Sequence, residues 1–322
     1  MSTLISLHIS DPDDFEQEKK IAMTIENVVN GVIEPAAAAK VIDDTVVEYC
    51  QSAQSSYTLP PGATAPTRPA GDGANGVPRP TGWLKYLWDC LGKASMTVPA
   101  DHPGQDGLVC LLQALQGMPK HTVPVKVGVE FVDKELWSLT ADNGYEGFEQ
   151  WLWELDQGHF TGTQQIEESA AVATSYLNFS AFLARLLASG IVEATRMSPL
   201  IRPSPFATGG PLSSGIYPEA SVAAQHYEPY AVAATQWLLH ASDALFEMCS
   251  KETLIEVGRQ KWTLALWNGW RTKFDAISRA PRFSPRCRRL ASEALDHMAE
   301  AERAGVTTDV VGTFGFMSMK ED

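Results

Sequence analysis

The sequence is poor in cysteine and histidine, the residues that build disulfide frameworks and most zinc sites. Its five cysteines are odd in number and far apart in the chain: Cys50, Cys90, Cys110, Cys249 and Cys287. No two of them have C-x-x-C spacing, and no two of the seven histidines lie three or four residues apart. The sequence therefore predicts no disulfide framework, no zinc knuckle and no metal site.

Recognised catalytic and nucleotide-binding motifs are also missing. The G-x-S-x-G, H-E-x-x-H, P-loop and EF-hand patterns do not occur. Gly71, Gly73 and Gly76 do spell a G-x-G-x-x-G, but proline-rich chain surrounds them. A dinucleotide site needs a strand before these glycines and a helix after them. We interpret the match as linker composition and predict no cofactor.

Positive charge and long apolar runs are both in short supply. The chain has 25 Lys and Arg against 39 Asp and Glu, a net charge of −14 that opposes binding to nucleic acid or anionic membranes. The longest uncharged run in the helical part, residues 169–184, is too short to span a bilayer, and Arg185 follows it. The N-terminus has no basic region typical of a signal sequence. We predict a soluble, cytoplasmic protein without a membrane or nucleic-acid partner.

The remaining composition indicates a packed core, and the apolar residues recur with helical spacing. Hydrophobic residues make up 44% of the chain and include nine tryptophans. The spacing predicts an all-α fold, an irregular multi-helix bundle of about eight or nine helices. One segment, residues 121–133, is β-branched and alternating. Since a lone strand has no ladder partner, we predict extended chain there.

Changes in composition along the chain predict four parts. Residues 1–53 form an N-terminal pair of helices, the first beginning at Asp11–Pro12, and residues 54–82 form a flexible insertion rich in proline and glycine. Residues 83–302 form the main helical domain, and residues 303–322 form a tail without helical period. The apolar residues of the tail suggest a docking segment for a protein partner or for a second copy, so a homodimer is one alternative.

Two tryptophans in the predicted helix 144–157 cannot share one helix face. Trp151 and Trp153 are two residues apart, and Trp153 lies about 80° outside the apolar arc of this helix. We predict that Trp153 is buried on a second side of the helix; the alternative is a contact with a ligand or partner.

The first candidate acid–base group is the segment that contains His226, Glu228 and Tyr230. It directly follows the Pro/Gly/Ser-rich loop 197–218, which could close over a site as a lid. His226 and Tyr230 are four residues apart and share a helix face. The alternative is that these three side chains make structural hydrogen bonds.

The second candidate group is the loop that contains Asp101 and His102. A carboxylate beside a histidine can orient the ring as a general base. The alternative is that Asp106 or a nearby loop residue caps a helix over residues 106–117.

Basic residues are concentrated in one segment of this acidic chain. Residues 259–289 carry nine Lys and Arg and one acid, Asp275, whereas residues 130–170 carry ten acids and one lysine. The basic segment could meet an anionic ligand or nucleic acid. The alternatives are that it faces the chain's own acidic segments, or that it is a solvated face.

Two stretches, residues 83–119 and 258–302, carry sequence motifs that can be compared with those of a protein family. They hold a Trp-rich helix, the loop "VPADHPGQD", a Leu-rich helix that ends at Pro119, and the pair Trp267 and Trp270 in "WNGW". With these motifs the chain resembles a family of uncharacterised helical proteins of filamentous ascomycete fungi, although its loop has valine where the family has isoleucine. The resemblance implies a fungal source and a cytoplasmic or nucleocytoplasmic location. It assigns no catalytic residue, because the family has no defined activity.

These observations leave two main hypotheses for function, besides a nucleic-acid-associated regulator that would use the basic segment 259–289. The first is a non-enzymatic scaffold or small-molecule-binding protein of a fungus. The second is a cofactor-independent tailoring enzyme of fungal secondary metabolism, namely a hydrolase, isomerase or cyclase that acts on an apolar metabolite. Here His226, Glu228 and Tyr230, with Asp101 or His102, would move protons in one cavity.

Overall fold

The computed structural model describes most of the chain and confirms the all-α prediction. The described residues are 4–57, 80–127, 130–160, 166–167, 169–202, 204–210, 219–255 and 261–315. Within them the chain forms ten α-helices and one two-stranded sheet. The body of the predicted flexible insertion, residues 58–79, lies outside the described residues, as do residues 316–322 of the predicted tail.

The chain divides into two structural units, Met1–Leu155 and Asp156–Asp322. The described helices and strands of the first unit are α1 (Glu16–Val29), α2 (Pro35–Tyr57), α3 (Pro80–Thr97), α4 (Gly104–Gln116), β1 (Thr122–Val127) and β2 (Glu130–Glu135). Helix α5 (Phe148–Phe160) runs across the boundary. The described helices of the second unit are α6 (Ala170–Ala188), α7 (Pro205–Thr208), α8 (Ala220–Ser250), α9 (Leu264–Arg279) and α10 (Pro285–Gly315).

Two helix ends differ from the predictions. Helix α1 begins at Glu16 and not at Asp11–Pro12, because the chain first makes a turn in which the Asp14 amide donates to the Asp11 carbonyl over 3.1 Å. The Glu18 carboxylate then accepts the Phe15 amide at 2.9 Å, which satisfies a free donor at the helix start. Helix α10 continues to Gly315, beyond the predicted end near residue 302.

Residues 121–133 do not form lone extended chain, because the segment contains the first strand of a hairpin and most of the second. Strand β1 pairs antiparallel with β2, with Val125 opposite Val132. An isolated hairpin is marginally stable in water, so it needs packing against other elements. That packing comes next in the chain, where Trp137 is 1% exposed and its indole Nε1 donates to Asp43 of α2 over 2.7 Å.

Helices α1 and α4 of the first unit approach closely because glycine lies at the crossing. A Cβ atom on Gly104 would lie 2.7 Å from Val29 Cγ1 and 2.8 Å from the Val29 carbonyl oxygen. Gly107, one turn later, would meet the Val28 carbonyl at 3.3 Å. These distances leave no room for a side chain at Gly104.

The core of the second unit forms where α6 and α8 pack together and α10 packs on α8 and α9. Helix α6 is the one described helix that is long and apolar enough to cross a membrane, and 56% of its apolar window is buried. Its side chains from Tyr176 to Ala184 are all buried, as expected for a core helix. Ser169 caps its start by accepting the Val172 amide at 3.3 Å.

The tryptophans of the two predicted aromatic helices differ in their exposure to solvent. In α9, Trp267, Trp270 and Phe274 are buried at 3% exposure or less, as their spacing predicts. In α5, Trp153 is 37% exposed, so the prediction that it is buried is wrong. Its position outside the apolar arc directs it away from the core side, where Leu152 is fully buried.

Candidate functional site

Asp101 and His102 belong to the first unit, and their loop begins a helix. Asp101 is exposed. The imidazole Nδ1 of His102 accepts the Gly104 amide at 3.0 Å, so this nitrogen caps the first turn of α4. Asp106 lies in that first turn, where its charge suits the helix dipole. A loop residue therefore caps this helix, as the alternative stated, and that residue is His102.

His102 also lines a small open cleft between the end of α1 and the start of α4. The cleft has a volume of about 240 Å³, and Leu4 and Gly31 form part of its wall. This volume is below the roughly 300 Å³ at which ligand pockets begin. The helix start offers little to an anion, because the Gly104 and Gln105 amides already donate to His102 and the Gly107 amide to Pro103.

In the second unit, His226 of α8 forms a pair with Glu167. The imidazole Nδ1 lies 2.7 Å from Glu167 Oε2, and the two side chains are 30% and 11% exposed. A carboxylate at this distance from Nδ1 can orient the imidazole ring. Sequence reasoning missed Glu167, because 59 residues separate the two partners.

Glu228 caps a neighbouring helix. Its Oε2 accepts the Ser284 amide at 3.0 Å, and its Oε1 accepts the Ser284 hydroxyl. The Ser284 hydroxyl oxygen in turn accepts the Cys287 amide at 3.1 Å. This is the hydrogen-bond pattern of a capping box, with the acidic residue supplied by α8 rather than by the capped helix. Both oxygens of Glu228 are therefore engaged in holding the start of α10.

Tyr230 is part of a buried aromatic cluster. It is 2% exposed, and its ring centroid lies 6.1 Å from that of Tyr176 in an edge-to-face arrangement. Tyr176 packs at 5.1 Å against Phe160. Burial raises the pKa of the Tyr176 hydroxyl, so this phenol stays neutral.

A buried ion pair lies beside this cluster. Arg202 Nη1 donates to Asp156 Oδ1 over 2.6 Å, and Arg202 Nη2 donates to the Phe160 carbonyl over 3.3 Å. Asp156 is 1% exposed, and burial raises its pKa although the Arg202 charge acts in the opposite direction. The pair ties the loop after α6 to the end of α5.

The described part of the loop predicted to be a lid is packed into the core. Phe206 is fully buried, with its ring 5.1 Å from that of Phe274. Lys273 Nζ donates to the Phe206 and Ala207 carbonyls at 2.6 and 2.9 Å, and Trp270 Nε1 donates to the Leu200 carbonyl at 3.2 Å. Burial lowers the Lys273 pKa. Residues 211–218 of the loop lie outside the described residues.

The structure thus gives His226, Glu228 and Tyr230 three separate sets of contacts. His226 contacts Glu167, Glu228 contacts Ser284, and Tyr230 packs on Tyr176. In the part of the chain that the structure describes, no group of three or more His, Cys, Asp or Glu side chains could hold a metal ion.

The basic segment is partly paired with acids of the same unit. Arg271 forms an ion pair with Glu302, which also accepts the Trp267 indole N–H at 2.6 Å. Arg279 pairs with Asp275 at 2.6 Å, and Arg289 with Glu293 at 3.4 Å. These three acids lie within or after the basic segment and not in the acid-rich residues 130–170.

Fold and contacts define an all-α protein of two helical units in which the predicted acid–base residues of α8 contact separate partners. The chain belongs to a family that is itself described as "Protein of unknown function (DUF3632)", whose model matches residues 88–274, more than half of the chain. The resemblance to an uncharacterised family is thereby confirmed. No curated protein and no solved structure matches the chain.

Proposed function

We propose that the protein is a non-enzymatic scaffold that binds a protein partner in the cytoplasm of a filamentous fungus. The separate contacts of the three α8 side chains carry this proposal. An acid–base catalyst must reach the substrate proton. The Glu228 oxygens are occupied by Ser284, and Tyr230 is 2% exposed. The fungal source and the cytoplasmic location rest on the motifs of the sequence, such as the "WNGW" of α9.

Native mass spectrometry of the full chain, purified from its host, tests this proposal. We expect a stoichiometric complex with one protein partner. A small-molecule mass that leaves the protein on denaturation would contradict the scaffold proposal and favour a ligand site. A homodimer with no other component would make the partner a second copy.

One observation favours a second candidate function, a cofactor-independent tailoring enzyme acting on an apolar metabolite. The Glu167 carboxylate orients the His226 ring, and the His226 side chain remains 30% exposed. An imidazole oriented in this way can act as a general base toward a substrate. Such a base would serve an isomerisation, a cyclisation or a hydrolysis by water.

Metabolite profiling of the host tests this second candidate. Strains carrying His226→Ala would accumulate a substrate that is absent from the strain with the natural chain. A strain carrying His159→Ala, which changes an exposed histidine of the same unit, is the matched control. Identical profiles in all three strains would exclude His226 as a catalytic residue.

A further inference from the structure

Five arginines surround the connection between α9 and α10, and we call this group the arginine patch. Three of them are exposed and two are half-buried: Arg279, Arg286 and Arg289, then Arg282 and Arg288. The side chains of Arg279 and Arg289 are 77% and 69% exposed. Arg286 and Arg289 are three residues apart in one helix, so they share a face.

The stretch of chain that carries the patch has no acidic residue of its own. Residues 279–289 contain no Asp or Glu. Asp275 and Glu293 each hold one exposed arginine in a pair one helical turn away, and solvent weakens such pairs. The Glu228 carboxylate is directed at Ser284 and stabilises the start of α10.

The position of the patch opposes helix stability. Arg286, Arg288 and Arg289 follow directly after Pro285, at the positive end of the α10 dipole, where acidic residues are favourable. The first turn of α1 has Glu16 and Glu18 in the corresponding place, whereas the first turn of α10 has no acid. Arginines in this position are therefore unfavourable for the helix.

We propose that the arginine patch binds an acidic segment, rich in Asp and Glu, of a protein partner. The inference rests on the proposed scaffold function and names the surface and the chemistry of its partner. Guanidinium groups bind carboxylates through two parallel hydrogen bonds. Because Glu228 already occupies the start of α10, the guanidinium groups and not the helix end supply the attraction.

The surroundings of the patch favour a short acidic peptide over nucleic acid. Single-stranded nucleic acid is held largely by stacking of bases on exposed aromatic side chains. Phe283, the one aromatic residue in residues 279–289, is 1% exposed. A net charge of −14 also repels a long polyanion more strongly than a peptide with a few carboxylates.

Fluorescence anisotropy with a labelled oligoglutamate peptide tests the patch in the full chain. The test variant is the double substitution Arg286→Gln and Arg289→Gln. The matched control is Lys251→Gln with Arg303→Gln, which removes the same charge from two exposed residues, each of which pairs with a glutamate as Arg289 does. Melting curves of all variants verify that they fold.

We expect the peptide to bind the natural chain and the control alike, and to bind the test variant about fivefold more weakly after the loss of two exposed ion pairs. Equal weakening in the control would overturn the proposal, since overall charge would then explain the binding. Tighter binding of a labelled oligothymidine than of the peptide would also overturn it in favour of nucleic acid.

A second measurement separates this inference from the scaffold proposal. If the host complex forms with the natural chain and persists with the arginine variant, the scaffold function stands and the patch is excluded as its binding surface. If no complex forms with the natural chain, the scaffold function fails, while the anisotropy result still measures the patch itself.

Discussion

The contact between Glu228 and Ser284 predicts a stability cost that can be worked out from its geometry. Glu228→Ala removes the acceptors of the Ser284 amide and hydroxyl. A hydrogen bond to a charged group contributes about 1.5–3 kcal/mol, and a capping interaction about 1 kcal/mol. Since both partners are only half-buried, we expect the free energy of unfolding to fall by about 2 kcal/mol. Glu228→Gln keeps one oxygen acceptor, so we expect a loss of about 1 kcal/mol.

Urea denaturation followed by circular dichroism measures these changes, with the slope of the transition monitored for two-state behaviour. Ser284→Ala and the double variant complete a thermodynamic cycle. Because the two residues contact each other, we expect the double variant to lose less stability than the sum of the single losses. Additive losses, or a change below about 0.5 kcal/mol for Glu228→Ala, would refute the capping role.

Three further predictions concern buried groups. Of the five thiols only Cys110 is exposed, so a thiol reagent should modify one cysteine quickly in the native protein and the others only after unfolding; more than one fast thiol would contradict the described burial. Burial raises the pKa of Cys90 from 9.0 to about 12, so the thiol of the unfolded chain ionises at a lower pH than that of the folded chain. The free energy of unfolding should therefore fall as the pH rises above 9.0, and it should fall less in Cys90→Ala. Urea titrations that show the same dependence of this free energy on pH in both proteins would exclude this cause. Phe206→Ala should lower the free energy of unfolding by about 3–5 kcal/mol, because the ring is fully buried. A change near zero in urea denaturation would show that the Phe206 ring does not anchor the loop.

Local patterns predicted much of the fold, because helix faces follow from spacing alone. The interval between Trp267, Trp270 and Phe274 placed all three on the buried face of α9. The same reasoning failed for Trp153, since an arc of apolar residues shows which side packs but not whether a neighbour covers the other side. The hairpin was not predicted, because residues 121–133 show one continuous alternation in which the turn between the two strands carries no strong local signal.

The candidate site was less predictable, because its contacts join distant parts of the chain. His226 and Glu228 were identified as polar residues on one helix, but their partners are 59 and 56 residues away. Helical spacing could separate the two faces: Glu228 is turned about 200° from His226, so one cavity could not hold both side chains easily. No local signal names Glu167 or Ser284 as the partner, since many residues of the same types occur elsewhere in the chain.

Gly104, at the crossing of α1 and α4, affects how a glycine at this position should be interpreted in related sequences. A side chain at position 104 would collide with Val29 and with the His102 ring, whose Nδ1 lies 2.9 Å from the place of a Cβ atom. Evolutionary drift at this position is therefore restricted by the distance between two helices. Gly104 lies beside His102 and a cleft, which could suggest a binding loop. If related sequences retain glycine at this position, the close approach of the two helices is sufficient to explain it.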